Sequence, residues 1–251
     1  MKFDKHIANA VTCINIVCGC FAVISLINRE LWMASYFVYL AMVFDFIDGF
    51  VARALNAKSE FGKQLDSLAD AISFGLVPGI LMYRLIFISI SIGNINISPY
   101  FSCFGFIITV FSLLRLAKFN LDIRQKEYFI GLPTPASALF IMSFPLILQN
   151  PYCTLFRNEY FFVTIILNPI VLISITLIIS ALLVSEIPLF SLKIKTFSFK
   201  DNKLSYSFLL ASIILLAIFY FIAIPLIIFL YIILSLFNNI SKQNNSHEIQ
   251  S

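Results

Sequence analysis

The sequence DFIDGFVARALNAKSEFGKQLDSLAD, residues 45–70, places four aspartates between long apolar segments. Asp45 and Asp48 are three residues apart, and Asp66 and Asp70 are four residues apart. On helices, both spacings put the two carboxylates of a pair on one face, a turn apart. A carboxylate at membrane depth costs roughly 2.5–3.5 kcal/mol on insertion scales, so each of the four requires a partner or an ion.

Basic residues within this stretch are too few to neutralise the aspartates. They are Arg53, Lys58 and Lys63, and both lysines fall in a predicted loop. Four facing carboxylates with so little counter-charge are more stable around divalent cations, and oxygen ligands at this density suit Mg²⁺ or Mn²⁺. If the two pairs face each other across adjoining helix ends, they predict two ions roughly 4 Å apart that clamp a transferring phosphoryl group.

The composition of the whole chain is that of a helical membrane protein. Of its 251 residues, 60% are hydrophobic and 12% are charged, and the mean hydropathy is +0.95. These values exclude an ordinary soluble domain, and the apolar runs are too long for a transmembrane barrel. The length suits about eight helical spans of roughly 20 residues each. The net charge of +4 is no nucleic-acid signature, so we expect an all-α integral membrane protein that binds no nucleic acid.

The apolar runs divide one predicted membrane domain, residues 1–251, into a core and a C-terminal part. We expect a six-helix catalytic core over 1–184, a cytoplasmic loop over 185–204, a helical hairpin over 205–238 and a disordered tail over 239–251. The core spans are predicted at about 11–27, 32–54, 61–90, 101–116, 134–148 and 160–184. Pro78 predicts a kink in the third span. The last apolar stretch leaves open two spans that turn near Pro225 or one long kinked helix.

Lysine and arginine are distributed unevenly between alternate predicted loops. The N-terminus and the loops after the second, fourth and sixth spans carry nearly all of them, whereas the opposite loops hold Arg29 and Arg157. The positive-inside rule therefore predicts that both termini and the aspartates face the cytoplasm. Because no organelle-targeting segment is evident, we expect a bacterial cytoplasmic membrane.

Residues beside the aspartates suit a ligand that carries a diphosphate. Gly49 removes a side chain where a ligand could approach the backbone, and Ala52 is similarly small. Arg53 supplies an always-charged fork that fits a diphosphate, although a lone arginine at a span end is more often a topology anchor. An aspartate less engaged with metal could act as general base toward an attacking hydroxyl.

The same positions match the signature of a known family. The pattern Asp45-x2-Asp48-Gly49-x2-Ala52-Arg53-x8-Gly62-x3-Asp66-x3-Asp70 resembles, without a gap or mismatch, that of the CDP-alcohol phosphatidyltransferases. Further segments resemble the phosphatidylserine synthase branch of that family, namely 65–70, 73–78, 115–120, 131–135 and 184–188. An N-terminal pattern is similar as well, with Asn9, Thr12, Asn15 and Gly19, but Ala8 stands where the family usually has proline.

This resemblance implies transfer of a phosphatidyl group from CDP-diacylglycerol to the hydroxyl of L-serine, with release of CMP, by a membrane-bound homodimer. It implies that Asp45, Asp48 and Asp66 bind the metals, and that Asp70 is the general base and a further metal ligand. The positions along the CDP moiety would be Asp48, Gly49, Ala52, Arg53 and Gly62.

The carboxylate of serine requires a cation near the metals. The candidates are Arg115 and Lys118, at the cytoplasmic end of the fourth span, with Asn120 or Ser73 assisting. Helical spacing predicts that Ser73 shares the face of the two aspartates in the third span. Both cations could instead be ordinary charges at a span end.

Three other functions remain to be distinguished. A related transferase could use glycerol phosphate or an inositol phosphate, but such an acceptor would require several extra cations beside the site. Membrane prenyltransferases also pair aspartate motifs with magnesium and diphosphate, yet their motifs lie much further apart. A transporter would favour acidic residues near the bilayer midplane and broken helices in related halves.

Overall fold

A computed structural model describes residues 2–57, 59–93, 98–121, 129–149, 159–189 and 203–248. Ten α-helices lie within these ranges: α1 Lys2–Ile27, α2 Leu31–Ala54, α3 Glu60–Asp70, α4 Val77–Ile92, α5 Ile107–Leu121, α6 Thr134–Gln149, α7 Glu159–Ile166, α8 Pro169–Val184, α9 Lys203–Phe219 and α10 Ala223–Glu248. A π-helical turn, Ala71–Leu76, joins α3 to α4, and 3₁₀ turns over Pro99–Phe106 and Tyr220–Ile222 precede α5 and α10. Two short strands, β1 Phe129–Ile130 and β2 Pro188–Leu189, pair antiparallel.

The predicted all-α integral membrane fold is confirmed. Five helical stretches in the described ranges are long and apolar enough to cross a membrane: His6–Ile27, Leu31–Ala54, Glu60–Ile92, Pro99–Leu121 and Ser205–Phe237. The shorter helices α6 and α8 are apolar as well. Apolar side chains that remain exposed, such as Leu210 at 62% and Ile213 at 64%, form a surface suited to lipid rather than water.

The buried core lies around α4 and α6. Leu81, Leu85 and Ile86 of α4 are fully buried, as are Ile141 and Met142 of α6. The helices that carry the aspartates pack around this centre, with α1 against α2 and α3, and α2 against α6. The core therefore holds the aspartate-bearing parts of α2 and α3 in a fixed relation.

The third span departs from regular helix before its proline. The interruption is the π-helical turn Ala71–Leu76, and Pro78 follows in the first turn of α4. Proline has no N–H to donate to the carbonyl one turn earlier. A regular α-helix would therefore lack that hydrogen bond as well, so the wider turn costs little hydrogen bonding. Single π turns of this kind occur frequently at functional sites, and this one begins directly after Asp70.

The prediction of one continuous sixth span was wrong. The chain forms α7 and α8, separated at Leu167 and Asn168. The Asn168 side-chain oxygen accepts hydrogen bonds from the backbone N–H groups of Ile170 at 2.9 Å and Val171 at 3.4 Å. Asn168 is thus an N-cap, and Pro169 occupies the first helical position, where its missing N–H costs nothing.

The C-terminal stretch folds back on itself. The rings of Phe208 in α9 and Tyr231 in α10 lie 5.8 Å apart, whereas a continuous helix would separate residues 23 positions apart by about 35 Å. The chain reverses at Tyr220, whose φ is +49°, rather than near Pro225. α10 then extends to Glu248, where a disordered tail was expected from residue 239, because no glycine or proline interrupts residues 226–248.

The two strands connect the beginning of α6 to the end of α8. Gly131 donates from its backbone N–H to the Ile187 carbonyl at 2.9 Å, and Leu132 donates to the Leu182 carbonyl at 2.9 Å. Gly131 has a φ of +74°, and a Cβ at this position would lie 2.8 Å from the Leu183 carbonyl oxygen. Glycine is therefore required by both the backbone conformation and the space.

Candidate active site

Three of the four aspartates form a compact cluster. One carboxylate oxygen each from Asp45, Asp48 and Asp66 lies within 4.8 Å of the other two. Asp48 is buried at 6% exposure, and the other two are half-buried. The two helix ends therefore face each other as the spacing predicted.

A tight connection between α2 and α3 creates this arrangement. Asn56 adopts a left-handed conformation with φ of +49°, which asparagine tolerates better than most residues, and Ala57 donates to the Ala52 carbonyl at 3.0 Å. Ser59 then caps α3, since its side-chain oxygen accepts from the Gly62 N–H at 3.0 Å. α3 starts at once and carries Asp66 back alongside α2.

Asp70 lies one turn beyond Asp66 and completes the group. It interacts electrostatically with the three clustered aspartates and with Arg115. Within the described part of the chain, Oδ1 of Asp70 and Oδ2 of Asp48 are buried without a hydrogen-bond donor. Buried carboxylate oxygens of this kind are costly unless a cation or donor satisfies them.

These carboxylates suit divalent cations. All the potential metal ligands are oxygen atoms. Two of these oxygens are buried without a hydrogen-bond donor, and three carboxylates converge within 4.8 Å. Mg²⁺ and Mn²⁺ prefer such ligands. The residues present therefore fit a divalent metal site formed by Asp45, Asp48 and Asp66, with Asp70 adjoining it.

A cavity of about 680 Å³ opens on one side of the cluster. It is lined by all four aspartates, by two arginines, and by residues of α5, the start of α6 and α10: Asp45, Phe46, Asp48, Gly49, Arg53, Asp66, Asp70, Arg115, Leu116, Phe119, Pro133, Thr134, Pro135 and Tyr231. Among the described residues that line it, the four aspartates outnumber the cations Arg53 and Arg115. We call this space the first cavity.

A second cavity of about 500 Å³ lies on the other side, between α1 and the α2–α3 connection. Its lining consists of Ala8, Asn9, Thr12, Asp48, Gly49, Ala52, Ala57, Ser59, Glu60, Gly62, Lys63 and Asp66. Asp48, Gly49 and Asp66 line both cavities. These three residues therefore lie where the two cavities adjoin.

Residues predicted along a CDP moiety are divided between the two spaces. Ala52 and Gly62 line the second cavity, whereas Arg53 lines the first and is solvent-exposed. A Cβ at Gly62 would lie 3.1 Å from both Asn9 Oδ1 and Ser59 Oγ. A Cβ at this position would therefore require the side chains of Asn9 and Ser59 to shift by a few tenths of an ångström.

Arg115 is the one predicted serine-binding candidate that lines a cavity in the described structure. It is buried at 5% exposure, and its Nε donates to the Leu132 carbonyl. Its guanidinium lies 5.5 Å from the centre of the Phe119 ring. The Leu132 carbonyl is held by the strand connection, so the position of Arg115 depends on the segment before α6.

The other three serine-binding candidates make structural contacts. Ser73 is fully buried and donates to Asn15 Oδ1 at 2.7 Å, because the π-helical turn directs it toward α1. Lys118 pairs with Glu186 at 3.3 Å. Asn120 donates from Nδ2 to Ser67 Oγ at 2.8 Å, which connects α5 to α3 beside Asp66.

Sequence reasoning assigned no site role to several residues that line the first cavity, among them Thr134 and Tyr231. Thr134 lies in the 131–135 segment, which belongs to the resemblance but for which no site residue was predicted, and it is buried at 3% exposure. Tyr231 lies in the C-terminal hairpin among apolar neighbours, and no local pattern distinguishes it from lipid-facing aromatics. Asn9 and Thr12 of the N-terminal pattern line the second cavity.

Comparison with known proteins gives a consistent result. A family model described as CDP-alcohol phosphatidyltransferase matches residues 5–182. The chain is 35% identical over 156 residues to the CDP-diacylglycerol–serine O-phosphatidyltransferase of Bacillus subtilis, which covers 60% of this chain and 84% of the relative. It is 30% identical over 156 residues to the Helicobacter pylori protein of the same name, an alignment that covers 61% of this chain and 59% of that relative. It is also 34% identical over 152 residues to the archaetidylserine synthase of Methanothermobacter thermautotrophicus, where the alignment covers 57% of this chain and 62% of the relative.

Proposed function

Because the chain belongs to the CDP-alcohol phosphatidyltransferase family, we propose that it transfers the phosphatidyl group of CDP-diacylglycerol to the hydroxyl of L-serine. The products are phosphatidylserine and CMP. The observation that carries this proposal is the pair of cavities that meet at Asp48 and Asp66. A relative named for the same reaction shares 35% identity and is covered over 84% of its length.

The two cavities suit the two halves of the reaction. The second cavity, with Gly49, Ala52 and Gly62, receives the cytidine end of CDP-diacylglycerol. Its diphosphate lies at the junction, and Arg53 neutralises part of its charge. Serine enters the first cavity, where Arg115 binds its carboxylate. Phosphoryl transfer requires mainly such positioning and charge neutralisation from a protein.

Bond changes follow from this placement. The serine hydroxyl oxygen forms a bond to the phosphorus that carries the diacylglycerol, and the bond from that phosphorus to the CMP oxygen breaks. Asp70 accepts the hydroxyl proton as general base, because it lies at the first cavity and one of its oxygens is buried without a donor in the described chain. A positioned base of this kind contributes about 10²–10⁴-fold to the rate.

Divalent metal is the cofactor that the acidic cluster implies. Asp45, Asp48 and Asp66 would hold it, and Asp70 would contribute to a second ion. When bound, Mg²⁺ or Mn²⁺ supplies charge neutralisation at the diphosphate and at the developing negative charge. With Asp70 beside the three clustered carboxylates, these residues would be able to hold two such ions.

The charge of the first cavity favours serine over phosphorylated acceptors. Glycerol phosphate or an inositol phosphate adds at least one negative charge, whereas the arginines of the described lining are Arg53, which we place at the diphosphate, and Arg115. Each extra phosphate would require additional cations in that space. The zwitterion of serine requires only one cation for its carboxylate.

The site also fits a membrane surface. The chain is an integral membrane protein, and its aspartates lie at the ends of apolar helices. We propose that these ends and both termini face the cytoplasm of a bacterial cell, since the basic loops collect on that side. There the lipid-linked diphosphate lies at the headgroup boundary, while serine and CMP exchange with the cytoplasm. The protein acts as a homodimer.

An acceptor panel tests the proposal directly. The purified protein is incubated in detergent with CDP-diacylglycerol, Mg²⁺ or Mn²⁺, and separately with L-serine, glycerol 3-phosphate or inositol 1-phosphate. We expect CMP release and a lipid product with serine alone. Release with a phosphorylated acceptor and none with serine would assign the protein to another reaction of the family.

A further inference from the structure

Tyr231 lines the first cavity although it lies outside the segment that matches the family. The family model ends at residue 182, and Tyr231 belongs to α10 of the C-terminal hairpin. The other residues that line this cavity come from α2, α3, α5 and the segment that opens α6. The hairpin is thus a further contributor to a site that otherwise consists of the family core.

The position of the Tyr231 ring is well determined by its surroundings. Its exposure is 9%, and its ring lies 5.8 Å from Phe208 of α9. α10 also packs against β2, which pairs with β1 shortly before Leu132, so the hairpin contacts the strand pair beside the carbonyl that binds Arg115.

The chemistry of the reaction indicates which substrate meets this ring. In an in-line displacement, the attacking and leaving oxygens lie on opposite sides of the phosphorus. If CMP leaves on the side of the second cavity, the acceptor must attack from the first. Arg115, Thr134 and Tyr231 line the first cavity and not the second, so they lie on the acceptor's side.

We propose that the Tyr231 ring forms a wall of the acceptor pocket and limits the size of the acceptor. This inference rests on the proposed function, since it requires an acceptor in the first cavity. The first cavity has a volume of about 680 Å³ with the Tyr231 ring in place, so loss of the ring would enlarge a space that serine does not fill by itself. The hairpin thereby contributes to acceptor specificity as well as to the fold.

The test compares Tyr231→Ala with Phe229→Ala in the full-length protein. Both substitutions remove an aromatic ring from α10, but Phe229 does not line either cavity and is 52% exposed. KM and kcat are measured for L-serine and for CDP-diacylglycerol, and L-homoserine serves as a longer acceptor. Tyr231→Phe preserves the ring and is the conservative variant.

Tyr231→Ala should raise the serine KM at least tenfold and leave the CDP-diacylglycerol KM within twofold. The ratio of homoserine to serine turnover should rise by about tenfold or more, since one methylene in an apolar pocket changes specificity by 10–200-fold. Tyr231→Phe and Phe229→Ala should remain within threefold of the original protein. If Tyr231→Ala does not accumulate in the membrane, Tyr231→Leu is subject to the same expectations.

Three outcomes would overturn the inference. They are an increase in the CDP-diacylglycerol KM instead of the serine KM, equal effects of Tyr231→Ala and Phe229→Ala, or an unchanged acceptor ratio. Failure of the proposed function is seen separately, because the unsubstituted protein would then release no CMP with serine.

Discussion

Replacing Arg115 with alanine is expected to raise the KM for L-serine by about 10–100-fold. The side chain is buried at 5% exposure and lines the first cavity beside Asp70. A hydrogen bond to a charged group contributes about 1.5–3 kcal/mol, and each 1.4 kcal/mol corresponds to about tenfold in affinity. The CDP-diacylglycerol KM should change much less, because the second cavity contains no part of Arg115.

A matched comparison separates this effect from general loss of charge. Lys118 lies one turn away on α5 and pairs with Glu186 at 3.3 Å, with both side chains largely exposed. Exposed ion pairs contribute about 0–1 kcal/mol, so Lys118→Ala should leave the serine KM within twofold. The serine KM of Arg115→Lys should lie between those of Arg115→Ala and Lys118→Ala, because lysine keeps the charge but lacks the planar fork of the guanidinium.

The assay is CMP release at fixed CDP-diacylglycerol over a range of serine concentrations. Arg115→Ala also removes the donor to the Leu132 carbonyl, which costs about 1–3 kcal/mol of stability if that oxygen stays unpaired. Each variant is therefore checked by thermal unfolding in detergent before its kinetics are compared. An unchanged serine KM in a folded Arg115→Ala protein would refute the assignment of Arg115 to the serine carboxylate.

Three further predictions concern the carboxylates and the second cavity. Asp70→Asn should lower kcat by about 10²–10⁴-fold, the range of a lost general base, with the CDP-diacylglycerol KM nearly unchanged; a kcat within threefold would exclude Asp70 as the base. Removal of divalent cations with EDTA should abolish CMP release, and added Mg²⁺ or Mn²⁺ should restore it in the original protein but not in Asp66→Asn; turnover that survives EDTA would contradict the metal site. Gly62→Ala places a Cβ 3.1 Å from Asn9 Oδ1, so it should raise the CDP-diacylglycerol KM several-fold with little effect on the serine KM. The opposite pattern would mean that the nucleotide lies elsewhere.

Local sequence was sufficient for the membrane helices and for the acidic cluster. A run of about 20 apolar residues forms a helix in a membrane because the backbone must satisfy its own hydrogen bonds there. The pairing of Asp45 with Asp48 on one helix face follows from helical periodicity, and a short polar connection brings Asp66 alongside them. The break at Asn168 was also readable, since Asn-Pro commonly begins a new helix, but the apolar run around it obscured the signal.

Contacts between distant segments could not be read in the same way. Ser73 has the right spacing to face the aspartates, yet a π-helical turn directs it to Asn15 at 2.7 Å. Lys118 and Asn120 have the charge and polarity of ligand-binding residues, but Glu186 and Ser67 are their partners. A side chain's spacing along one helix does not reveal which neighbouring helix packs against it.

The sequence alone determined the membrane-spanning helices, the facing aspartates and their need for a cation. Each of these features depends on helical periodicity or on the free-energy cost of a charge in a membrane. The division of the site into two cavities, the burial of Arg115 at the first of them and the presence of Tyr231 in its lining were decided by tertiary structure. These features depend on how α5, α6 and α10 approach α2 and α3. Such packing is determined by side chains that are remote in the chain, so no local pattern contains it.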